Sequence, residues 1–242
     1  WGQKGLAFLD PFLRTLDDAY GSPVRPTDFR AAPGAALEQI NAWVDEQTAG
    51  KIPKLLGPGN ITSLTRVVIG SAIFLDAPWQ TPFDEGPVST FHRLDETQVR
   101  TPYMLVEEML RYAVGDGYQV VEIPYAGRAL SMLVMLPDSG RFPAIEAALD
   151  LGALMQAVDG DAPRLVNLWL PPFAFVSKPD LKAGLRAQGV KDALDDKRAD
   201  LSRIAEPADL DGRLFVGDAI HQAVIEVDRE GTVAAAATEL SG

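Results

Sequence analysis

The segment that most restricts this chain lies near its end: Val227-Asp228-Arg229-Glu230-Gly231-Thr232-Val233-Ala234-Ala235-Ala236-Ala237-Thr238-Glu239. It follows Leu214 to Val227, which reads as a strand. Four consecutive alanines favour helix on local propensity, so a short terminal helix is the plainest reading. The preceding strand supports another. In an extended conformation Thr232, Ala234, Ala236 and Thr238 share one face, and small side chains permit close approach from either side. Such a segment can be loop in one state and an inserted central strand in another. Energetics explain why it has to be bland. Desolvating a poorly paired charge costs several kcal/mol, whereas each net backbone hydrogen bond contributes only about 0.5–1.5 kcal/mol. One unsuitable residue cancels several bonds.

The rest of the chain mixes helices and strands without strict alternation, which argues against a doubly wound parallel sheet. Asp10-Pro11 marks a helix start, a capping carboxylate before a proline, and Gly21 ends that helix. Ala36, Leu37, Ile40, Trp43 and Val44 form an apolar stripe at helical spacing, with Gly50 as a left-handed terminator. Arg66 to Leu75 is rich in β-branched residues and reads as a buried strand, close-packed at Gly70 and Ser71. Tyr118 to Tyr125 and Ala129 to Leu136 are two more strands joined near Gly127. A helix is expected over Pro143 to Leu149. Leu165 to Val176 is extended and interrupted by Pro171-Pro172, and Asp180 to Gln188 is helical. No internal repeat or dividing linker is visible.

Composition removes several function classes. With 242 residues and 47% hydrophobic content the chain can bury a substantial core. A net charge of −12 without a Lys/Arg run opposes nucleic-acid binding. No apolar stretch approaches the ~20 residues that span a bilayer, so no membrane partner is implied. The chain has no cysteine, which excludes thiol catalysis and disulfides. Neither a G-x-S-x-G elbow nor a phosphate-cradling glycine motif occurs, so a hydrolase is disfavoured. Of two histidines, His92 sits in a polar stretch and reads as surface; His221 sits in an apolar strand and reads as a satisfied core residue. Two histidines without cysteine make a transition-metal site improbable. Asp195, Asp196 and Asp200 lack calcium-loop spacing and read as solvated surface. No cofactor is implied.

Four blocks in order then carry a resemblance. His221 through Thr238 resembles the proximal hinge of the serpin family. Ile40-Asn41-Ala42-Trp43-Val44, Thr48, Gly50-Lys51-Ile52 and Leu55-Leu56 look like that family's helix F and the segment after it. Ser71-Ala72-Ile73-Phe74, Ala77-Pro78-Trp79 and Phe83 are similar to the third strand of its sheet A. Leu170-Pro171-Pro172-Phe173 with Asp180-Leu181, Leu185 and Gly189 matches a further block. On these residues the chain is identified as a serpin, of an inhibitory, prokaryotic type.

The resemblance implies an α+β fold of three β-sheets with surrounding helices, in a single domain over residues 1–242. It implies an inhibitor of serine-type endopeptidases, not an enzyme, that inserts its cleaved reactive loop into sheet A. The hinge would be Arg229, Glu230, Gly231, Thr232, Val233, Ala234, Ala235, Ala236, Ala237 and Thr238. Gly231 would allow the chain reversal, and Thr232, Ala234, Ala236 and Thr238 would face the interior after insertion. Trp79 would sit at the breach, where insertion begins, and Ser71 and His221 at the shutter. The partner would be a serine protease, or less often a cysteine protease. A non-inhibitory chaperone, carrier or storage serpin is the alternative. Export is mildly favoured, since that is where proteases are met.

Departures from the family pattern qualify this. Ser71 stands where an asparagine is usual, Arg229 where an acid is usual, Val233 where a glutamate is usual and Gln222 where a lysine is usual. The breach ion pair should therefore be absent or reversed, and the shutter rewired. The first helices are expected before Trp1, and the scissile bond after Gly242. The chain is thus expected to be a fragment, or the larger piece left by cleavage, accompanied by a separate C-terminal peptide.

Overall fold

The computed structural model describes residues 1–160, 162–205 and 212–241. Its elements run β1 (Gly2–Gln3), α1 (Asp10–Tyr20), β2 (Pro26–Thr27), α2 (Pro33–Gln47), β3 (Val68–Pro78), β4 (Asp84–His92), β5 (Gln98–Gly115), β6 (Tyr118–Pro124), β7 (Ser131–Pro137), α3 (Phe142–Ala147), α4 (Leu151–Asp159), β8 (Arg164–Leu170), β9 (Phe173–Ser177), α5 (Leu181–Ala187), β10 (Asp218–Val227) and β11 (Gly231–Ser241). Among the described residues they make three sheets. β1 pairs in parallel with β2. A second sheet has the order β3-β11-β10-β9. The third runs β4-β5-β6-β7, with β8 also on β5. The alanine-rich tail is therefore a strand, and sheet pairing overrides its helical propensity.

The chain divides into two compact units, one of Trp1–Phe74, Phe175–Val224 and Ala234–Gly242, the other of Leu75–Ala174 and Ile225–Val233. In the first unit α1 begins with Leu9 at its N-cap and makes no side-chain cap bond, so Asp10 lies in the first turn instead of capping it. There its charge suits the positive end of the helix. Gly21, with φ 57°, closes α1 through bonds from its own N–H to Asp17 and from Ser22 N–H to Leu16.

Ala36, Ile40 and Val44 of α2 are buried with Phe29, Ile52, Leu55, Leu56, Ile61, Val68, Ala235 and Ala237. Buried Asn41 ties the following segment to the helix. Its Oδ1 accepts from Leu55 N (3.0 Å) and Leu56 N (2.8 Å), and its Nδ2 donates to Leu56 O (2.9 Å). An Asn41→Ala change strands three buried backbone groups. It is expected to destabilise the protein by about 3 kcal/mol, measured as a lower urea midpoint at unchanged m.

β3 is close-packed at Gly70, where a Cβ would come within 2.8 Å of the Trp1 ring. Along β3 Val68 and Ala77 are buried, while Ile69 and Ile73 are exposed among the described residues.

The second unit is built around β5, which pairs with β4 over Gln98 to Leu105, with β8 over Met104 to Leu110 and with β6 over Arg111 to Gly115. Its core joins Met104, Val106 and Leu110 of β5 to Ala77, Trp79, Phe83, Val121, Ile123, Tyr125 and Val227.

Candidate functional site: a central strand and its anchors

β10 and β11 are adjacent strands joined by only three residues, Asp228 to Glu230, and so form a hairpin. Asp228 shapes the connection. Its Oδ1 accepts from Glu230 N (2.8 Å) and Gly231 N (3.1 Å), and its N–H donates to Gly231 O (3.1 Å). Gly231 is required for a different reason from the one anticipated. Its φ is not left-handed, so the reversal does not depend on it. A Cβ there would stand 2.5 Å from Ala77 O and 2.8 Å from Pro78 Cα. Glycine is needed because the end of β3 passes directly against the start of β11.

An aromatic group in the second unit holds this corner. Trp79 is 2% exposed. It stacks on Tyr125 with centroids 4.7 Å apart and meets Phe83 edge-on at 5.8 Å. Its indole N–H donates to Asp228 O (2.9 Å) and its backbone N–H to Glu230 O (2.9 Å), while Phe83 N–H donates to Arg229 O (2.9 Å). The Tyr125 hydroxyl donates to Thr232 Oγ1 (2.8 Å). Burial raises the Tyr125 phenol above its ordinary value, against the opposing effect of that bond. The sequence reading singled out Trp79 but missed Tyr125. Arg229 itself is exposed, with no ion pair among the described residues.

In the first unit His221 Nδ1 and Thr238 Oγ1 lie 2.6 Å apart in a hydrogen bond. Ser71 and His221 are not brought together. Ser71 is exposed, and the order β3-β11-β10 puts β11 between the strands that carry them. The side chain of Gln222 is buried, and its Oε1 finds no partner among the described residues. His92, at the end of β4, is exposed.

In β11 Thr232 is buried, but Ala234, Ala236 and Thr238 are half-buried, and the other face holds the buried Ala235, Ala237, Glu239 and Ser241. The alternation is that of a strand. Cover decides which face is inside: Ala235 and Ala237 pack with Ile40, Val44 and Val68, whereas Thr232 is held by Tyr125. Glu239 is the unexpected member. It is 0% exposed, and neither carboxyl oxygen has a hydrogen-bond partner among the described residues. Burial pushes its carboxyl up to about 8.

β11 is thus a central strand that arrives from a hairpin and carries small residues under cover. The family described as serpin, serine protease inhibitor, matches residues 1–242. The leukocyte elastase inhibitor of Bos taurus is 36% identical over 249 residues, covering 98% of this chain and 65% of that protein. Cleaved Serpin 42Da superposes with TM-score 0.92 at 30% identity, covering 99% of this chain and 65% of that one. A loop-inserted, cleaved ovalbumin mutant gives 0.91 at 25% identity, covering 99% and 64%. The chain belongs to the serpin family. It spans just under two thirds of the length of the leukocyte elastase inhibitor it matches.

Proposed function

We propose that the protein carrying this chain inhibits serine proteases by trapping them as acyl-enzymes, and that residues 229–238 are the hinge of the reactive loop. The observation that carries this reading is the position of β11 between β3 and β10. Serpin loop insertion is a known example of strand addition. A protease attacks the loop as substrate and becomes esterified to it. Insertion of the freed strand then outruns hydrolysis of the ester and draws the bound protease with it. For this the uninserted fold has to be a kinetically held state and the inserted one the more stable.

In this scheme Trp79 sits at the breach, holding the corner from which β11 enters through Asp228 and Glu230. His221 is the shutter residue that receives Thr238, and Ser71 is its counterpart on β3. The target is a serine protease, with a cysteine protease as the lesser option. The strands beyond the cut would remain as a separate C-terminal peptide. One observation favours a non-inhibitory serpin instead: insertion buries the Glu239 carboxyl, which makes insertion costlier.

The test mixes the full-length protein with trypsin-, chymotrypsin-, elastase- and subtilisin-like proteases, followed by denaturing gels. A band at the summed mass, stable to detergent, is expected with at least one of them. Clean loop cleavage by every protease, with no such band, would overturn the inhibitory reading.

A further inference from the structure

We propose that Glu239 makes insertion of the reactive-loop strand acid-favoured, so that the same loop inserts readily at mildly acidic pH and progressively less readily toward pH 8. The inference deepens the insertion reading and rests on it.

Glu239 lies two residues beyond Ala237 on the covered face of β11 and is 0% exposed, and both of its oxygens lack a hydrogen-bond partner among the described residues. The cover on this stretch is apolar: Ile40 and Val44 from α2 and Val68 from β3 pack with Ala235 and Ala237. The carboxylates of α2 itself do not join that cover, for Glu38 and Glu46 are exposed and Asp45 is half-buried.

The charged groups that act on Glu239 are few. Asp218 of β10 disfavours a second negative charge. The terminal ammonium of Trp1, which donates to Val68 O (2.8 Å), favours one, more weakly than Asp218 opposes it. If residues precede Trp1 its nitrogen is an uncharged amide, and Asp218 acts alone. The Ser241 hydroxyl favours the charged form without closing a hydrogen bond. His221, also on β10, is engaged with Thr238 on the opposite face of β11. Among the described residues the one positive charge acting on it is the Trp1 terminal nitrogen, itself lowered to about 6 by burial, so above that pH protonation is the route open to the buried carboxylate.

The sign follows. In a solvent-exposed loop the carboxyl titrates in its ordinary range, near 4.5, and in the inserted strand near 8. Below the lower value both forms carry the proton and the group is neutral to insertion. Between the two values only the inserted form carries it, so insertion weakens by about tenfold for each pH unit. Above the higher value the penalty is complete.

The experiment uses the full-length protein, nicked in the loop by a protease that it does not inhibit. The thermal stability gained on nicking is followed from pH 5 to 9 for the wild type, Glu239→Gln and Glu239→Leu, with each uncut protein as its own folding control. The wild type should lose its gain as pH rises toward 8, while both variants keep theirs throughout. Equal pH profiles for wild type and variants, with a gain present in each, would overturn the role of Glu239 and leave insertion intact. No gain at any pH in any of the proteins would overturn the insertion reading, and this inference with it.

Discussion

On the proposed inhibitory reading, placing arginine at residue 237 is expected to abolish insertion and turn the inhibitor into a substrate. Ala237 is 1% exposed and packs in the apolar cluster with Ile40, Val44 and Val68. Arginine brings a charge that does not titrate away in the accessible range, in a place with room for one methyl group. Overpacking alone costs about 1–3 kcal/mol, and a buried unpaired charge adds several more. A penalty of about 5 kcal/mol lowers the insertion equilibrium by more than a thousandfold, since each 1.4 kcal/mol is tenfold. Ala237→Arg should therefore melt like wild type before the loop is cut, gain no stability after it, and yield cleaved protein with no detergent-stable complex. A complex at wild-type yield would mean that residue 237 is not buried when the loop inserts. Ala236→Ser, a small neutral change at a half-buried position on the other face, should leave both measurements unchanged and serves as the control.

The small, uncharged character of residues 232–238 is plain in the sequence, and which of these residues α2 covers is not. The requirement for small, uncharged residues follows from the energetics of desolvation and holds for either face of a strand. The face itself is set by α2 and the segment after it, elements distant in sequence, and no local periodicity reports that cover. Glu239 was overlooked for the same reason. It lies just past the bland run, and its burial comes from the neighbours of β11, not from its own surroundings in the chain. Gly231 illustrates a subtler case, for the sequence suggested a role in the chain reversal, whereas its φ is not left-handed and a close approach is what excludes a side chain. Backbone freedom is a property that glycine advertises in any sequence, while the close approach of Ala77 and Pro78 exists only once β3 and β11 are side by side. β5 escaped notice because Pro102 and the pair Glu107-Glu108 interrupt its alternation. It changes partners from β4 to β8 to β6 along its length, so no single apolar face persists. The end of α1 at Gly21 was readable because left-handed termination is decided within one turn of chain, whereas α2 has Thr48 as its C-cap, with Ala49, not Gly50, as the first left-handed residue after it.

The second large effect is expected at Trp79. Truncation to alanine removes the stack on Tyr125 and the edge contact with Phe83, and leaves Asp228 O without the indole donor that lies 2.9 Å from it. Large-to-small changes of a buried tryptophan cost about 3–5 kcal/mol. For a protein of this size that corresponds to a fall of roughly 10 °C in the melting temperature. Trp79→Phe separates the two contributions. It retains aromatic packing but donates no hydrogen bond, so it should lose about 1–3 kcal/mol, the cost of a stranded buried acceptor together with a modest void. The comparison is made on the loop-inserted form by urea denaturation, with amide exchange followed at Gly231 and Thr232. Those amides should exchange faster in the alanine variant than in the phenylalanine one, because Trp79 bonds the connection between β10 and β11 directly and Tyr125, its stacking partner, holds Thr232. A loss below about 1 kcal/mol for Trp79→Ala would show that the corner is held by its backbone hydrogen bonds from Trp79 and Phe83 alone. The aromatic stack would then have no share in seating the inserted strand.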